Sequence, residues 1–128
     1  MYRACGLIKS DTDFTLDEAH ARLAAKFPGH TVTRAGDQVV VSKGNWSIMM
    51  AVASGPGVRD ETQGIVDKIA GLEQTDAEAY VATGRRVEAW SDDPDQFMEH
   101  FNEYLSVVEV LKTFRGLLAV DPREPGVL

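Results

Sequence analysis

The spacing of apolar residues changes several times along the chain, and each change marks an element. Residues 2–9 carry a short apolar run that predicts a first strand. Thr15-Leu16-Asp17-Glu18 then has the form of a capping box, in which the threonine side chain accepts a backbone N–H and Glu18 reaches back. Leu16, Ala19, Leu23, Ala24 and Phe27 follow helical spacing until Pro28-Gly29 stops them, which predicts a helix over 16–27. Three short strands come next, at 31–34, 38–42 and 46–53. They are separated by Ala35-Gly36-Asp37 and Lys43-Gly44-Asn45, the pattern of an antiparallel meander. In the third strand Trp46, Ile48, Met50 and Val52 share one face, and Ser47, Met49 and Ala51 share the other. Neither face is strongly polar, so this strand is expected inside the sheet and covered on both sides.

Ser54-Gly55-Pro56-Gly57 reads as a loop. A helix is expected over 59–70, with Thr62, Ile65, Val66 and Ile69 on one side and Gly64 weakening it by up to about 1 kcal/mol relative to alanine. Thr75-Asp76-Ala77-Glu78 forms a second capping box and opens a short helix that Gly84 closes. Residues 85–90 predict a strand with Arg86, Glu88 and Trp90 on one face. Asp93-Pro94-Asp95-Gln96 is the sharpest boundary in the chain: Asp93 suits the N-cap and Pro94 the first helical position. Phe97, Phe101, Tyr104, Leu105, Val108 and Leu111 then form a stripe reaching Phe114, which predicts a long C-terminal helix ended by Gly116. Leu117–Val120 follows as a last short strand, and 121–128 as a loose tail. Strands in a run with flanking helices give an α+β class. The expectation is one domain over 1–128, an antiparallel sheet built on the three-strand meander with helices packed against it.

A length of 128 residues suits one domain with a real core, and 44% hydrophobic with 26% charged residues is the composition of a globular chain. No apolar run approaches the ~20 residues of a membrane span, and the first residues carry no signal-peptide pattern. The single cysteine, Cys5, fits a reducing compartment, so a cytoplasmic protein is expected. Charge alters the picture more. Acids and bases balance in residues 1–72, so the whole net charge of −7 falls in residues 73–128. That disfavours binding to a phosphate backbone, where affinity comes from Lys and Arg. It suits steering of a basic protein partner.

Catalytic signatures are few. His100 and Glu103 stand at i, i+3 and can face one ion, but zinc needs three or four ligands, and a solvated helix face is the simpler reading. Cys5 lacks a local nucleophile signature and reads as a small buried residue in an edge strand. Asp92, Asp93 and Asp95 lack the spacing of a calcium loop and read as a capping cluster. No metal and no cofactor are expected. Arg85-Arg86 stands out in an acidic region: one reading is structural pairing with Glu88 or helix acids, the other an anchor for a carboxylate or phosphate. Trp46, Met49, Met50 and Trp90 belong either to the core or to a binding surface.

The run His100-Phe101-Asn102-Glu103-Tyr104-Leu105, then Phe114-Arg115-Gly116 and Asp121-Pro122, resembles the ends of small bacterial domains of the polymorphic-toxin immunity type. Size, acidity and element order are also similar to type III secretion chaperones, which are small α/β dimers that hold effectors. The expectation is a non-enzymatic protein-binding domain that neutralises a partner by covering a basic surface. Asp92, Asp93, Asp95, Glu99 and Glu103 would steer it and exposed aromatics nearby would supply affinity. The alternatives are a dimeric chaperone that takes an effector segment, and a small enzyme or ligand-binding domain using Arg85 and Arg86.

Overall fold

Strand alternation puts apolar residues on both sides of the sheet, and helices cover both sides. The structure is a computed structural model that describes residues 2–128. Its elements are β1 (Tyr2–Ile8), α1 (Leu16–Lys26), β2 (Thr31–Ala35), β3 (Gln38–Lys43), β4 (Trp46–Ser54), α2 (Pro56–Val66), α3 (Gln74–Ala82), β5 (Arg85–Ser91), α4 (Phe101–Leu111) and β6 (Leu117–Val120). The six strands pair antiparallel in the order β2-β3-β4-β5-β1-β6. This is the α+β class expected. The meander is present as β2-β3-β4, turned at Gly36 and Gly44, both at φ 59°, where glycine carries no steric cost.

One face of the sheet packs on α1 and α4. Ala4, Ile8, Val39, Val41, Ile48, Met50, Val87 and Ala89 meet Leu23 and Phe27 of the α1 side and Tyr104, Val107 and Leu111 of α4. Burying a side chain such as Leu111 contributes about 1.5–3 kcal/mol. On the other face Cys5, Leu7 and Val120 pack with Ile65 and Val66 of α2 and Ala77 and Tyr80 of α3. β4 lies inside the sheet as expected, but this second face covers it only in part: Met49, Ala51 and Ala53 are half-buried.

Several expectations are corrected. The long C-terminal helix does not form. α4 spans 11 residues, Phe101–Leu111, and β6 follows it. The cause lies in the segment ahead of it. Asp95, not Asp93, gathers the backbone N–H groups of Glu99 and His100, at 2.8 and 2.9 Å. Met98 adopts φ 55°, a left-handed conformation that breaks the helical path. The 121–128 tail is not loose. It turns back on β6 through Asp121 N–H to Gly126 O and Leu128 N–H to Ala119 O, with Val127 bridging Val120. Cys5 lies in an interior strand, because β1 sits between β5 and β6. α2 starts at Pro56 and ends at Val66, earlier at both ends than expected. Thr75 is not the N-cap of α3; Glu73 is, with no side-chain cap bond. The box at Thr15 holds by half: its hydroxyl accepts Glu18 N–H at 3.0 Å, while Glu18 turns to Arg22.

Candidate interaction surface

The segment between β5 and α4 is built by carboxylates. Asp93 accepts the backbone N–H of Ser47 at 2.8 Å and its hydroxyl at 3.2 Å, which fastens the segment to the start of β4. Asp95 takes the backbone N–H groups of Glu99 and His100 and also the hydroxyl of Tyr2, at 2.5 Å. Desolvation pushes the Asp95 carboxyl up, but the bonds from Tyr2, His100 and Glu99 outweigh it and hold the group below its ordinary value. Burial and the Asp95 carboxylate raise the Tyr2 phenol to about 12. With both ends fastened and Met98 turned left-handed, the middle projects outward. Phe97 is 81% exposed and Met98 58%.

At the C-terminal end of this turn stands a second cluster. Glu103 holds two imidazoles, His30 through Nε2 and His100 through Nδ1, each at 2.6 Å. His30 comes from the turn between α1 and β2, and His100 is the N-cap of α4. The His100 ring stacks on Trp46 at 4.5 Å and 7°. Burial pushes Glu103 up, but the bonds from His100 and His30 prevail and lower its pKa. Trp46 itself is core, 3% exposed, and its Nε1 is buried without a partner. A cavity of about 340 Å³ is lined by Trp46, His100, Asp93, Asp95, Phe97 and Glu99 among others.

The five acids expected to steer a partner therefore divide. Four lie in the turn ahead of α4 and Glu103 in the first turn of α4. Asp93, Asp95 and Glu103 are tied to internal donors, whereas Asp92 and Glu99 are more open to solvent. Among the described residues no Lys or Arg pairs with Asp92, Asp93, Asp95 or Glu99. Tyr2 and His30 join the site without any local sequence signal. His30 is 73 positions from Glu103, and only the folded chain brings them together.

The two arginines separate as well. Arg86 is 3% exposed and held by Glu88 at 2.5 Å, Glu61 at 3.0 Å and the Thr62 hydroxyl at 3.5 Å. That is the structural pairing, and its guanidinium is turned to these internal acceptors, not to an outside anion. Arg85 is exposed and lines a cavity of about 410 Å³ with Arg59, Gly55 and Gly84. Glu88 also approaches Arg3, at 3.8 Å, beside a cavity of about 380 Å³ lined by the half-buried Trp90. Burial, reinforced by Glu88, raises the Cys5 thiol to about 12, so it is not a thiolate near neutral pH. No group of three or more His, Cys, Asp or Glu side chains among the described residues is placed to hold a metal ion. None of the helices there is long and apolar enough to cross a membrane.

Compared with known proteins, the chain matches no family model, no curated protein and no solved structure.

Proposed function

We propose that this domain binds another protein through the turn at residues 92–99 and acts by occupying a basic surface, as an immunity protein does. One observation carries the reading. Phe97 and Met98 project into solvent from a turn hydrogen-bonded at both ends, flanked by Asp92 and Glu99, acids that pair with no Lys or Arg among the described residues. An apolar centre with a polar rim is the usual anatomy of a contact patch. The rim charges raise the association rate, and the apolar pair supplies affinity. The left-handed Met98 fits this reading, since strained backbone collects at functional segments.

The test compares the wild-type chain, Phe97→Ser/Met98→Ser and Asp92→Asn/Glu99→Gln as baits in extracts of cells that make the protein. A basic protein held by the wild type should be lost with the first variant. The second variant should bind it more slowly and with a flatter salt dependence. Equal capture by all three removes the reading.

The concavity beside Trp90 supports a second reading, a small-ligand site between Arg3 and Asp92. Its check is quenching of Trp90 emission in a Trp46→Phe background during ligand screening.

A further inference from the structure

The contact turn is joined to a cluster of titratable side chains, and the inference that follows rests on the binding reading above. Glu103 is the common partner of His30 and His100, at 2.6 Å each. Both contacts are within hydrogen-bond reach, and a bond from a protonated imidazole to a carboxylate is charge-assisted, about twice as strong as a neutral one. A neutral imidazole still donates one N–H to a carboxylate, so losing a proton weakens such a contact without abolishing it. Histidine is the side chain whose charge ordinarily changes between about pH 5 and 8.

The cluster has leverage because of where it sits. His100 closes the turn that presents Phe97 and Met98, and its backbone N–H is held by Asp95 at 2.9 Å. His30 lies in the turn between α1 and β2, so Glu103 ties α4 to a distant part of the chain. Glu103 of α4 faces both imidazoles, Asp95 of the turn acts on His100, and Asp93 and Glu99 line the same cavity as His100. β1 contributes Tyr2, which reaches Asp95. β4 contributes the Trp46 ring stacked on His100, and the end of α1 the Phe27 ring 5.0 Å from His30. β3 ends in the exposed Lys43, the register partner of Trp46.

We propose that His30, Glu103 and His100 form a proton-operated latch that sets how firmly the contact turn is held. With both imidazoles protonated, the latch clamps His100 and fixes Phe97 and Met98 for binding. As the pH rises and protons leave, the clamp slackens and the turn opens.

Amide hydrogen exchange of residues 96–102 tests this on the protein alone, at about pH 6 and about pH 8, with intrinsic exchange rates divided out. The wild type should open roughly threefold to tenfold more at the higher pH, while amides of α2 stay level. Glu103→Gln should open as much at the lower pH as the wild type does at the higher one, with no pH dependence. His30→Gln, which keeps the His100 contact, should show a reduced dependence. Equal protection of the wild type at both pH values overturns the latch, as does an unchanged pH dependence in Glu103→Gln. No partner enters this experiment. A failed latch therefore leaves the binding reading standing, and failed partner capture leaves the latch standing.

Discussion

Glu88 and Glu103 each engage two basic side chains, and the two arrangements have different consequences. Glu88 lies on the sheet beside α2 and pairs with Arg86 and Arg3, while Arg86 also reaches Glu61 and Thr62. Arginine keeps its charge throughout the working pH range. This cluster is therefore constant, and its effect is to leave the buried Arg86 charge paired. Glu103 pairs with histidines, whose charge varies, and it adjoins an exposed turn instead of a packed helix face. The chain thus uses the same motif, a carboxylate shared by two bases, once to hold the core and once where adjustment affects a surface.

Breaking the constant cluster should have the largest effect. Arg86→Ala leaves Glu88 without its main partner beneath α2, and removal of one member of a buried pair costs about 3–5 kcal/mol. Urea unfolding measures it, and a loss under about 1 kcal/mol, the worth of a surface ion pair, would show that Arg86 does not hold the core. Glu103→Gln should cost less, about 1–3 kcal/mol at mildly acidic pH, the worth of hydrogen bonds to a charged group.

The acid limb gives a sharper contrast. The Glu103 pKa is lowered in the folded chain, so its contribution is complete above the ordinary carboxylate pKa and disappears as pH falls through the lower folded value. Below about pH 4.3, wild-type stability should therefore fall more steeply than that of Glu103→Gln. Parallel curves would separate Glu103 from the acid transition. The smallest effect is expected at Met98→Gly. Relief of the left-handed backbone is partly offset by glycine's entropy, for a net gain of about 0.5 kcal/mol. A loss above about 1 kcal/mol would mean that the Met98 side chain packs as well as projects.

Elements with a strong local signal are legible in the sequence. The meander is readable because its glycine turns and alternating strands agree, and α1 because Thr15 and the Leu16–Phe27 spacing agree. The turn before α4 misleads for the same local reason. Asp93-Pro94 is a sound start signal, and Phe97 fits the stripe that runs on through Phe101 and Tyr104. Yet Asp93 is drawn away to Ser47 on β4 and Asp95 to Tyr2 on β1. Long-range partners thus outcompete a local cap, and no periodicity reveals them. The same limit hides His30 and leaves Arg85 and Arg86 undivided. Alternation points those two to opposite faces, but only packing decides which is enclosed by Glu61 and Glu88.

Photo-crosslinking in cells that make the protein tests the contact turn most directly. A photoreactive side chain is placed at Phe97 in one chain and at Glu78, on α3, in a control. One basic protein should be joined at position 97, absent at 78, and lost when Asp92→Asn and Glu99→Gln are added at moderate salt. An adduct of the same protein formed equally from position 78, or no adduct at 97 beside a productive control, would contradict the role of the turn.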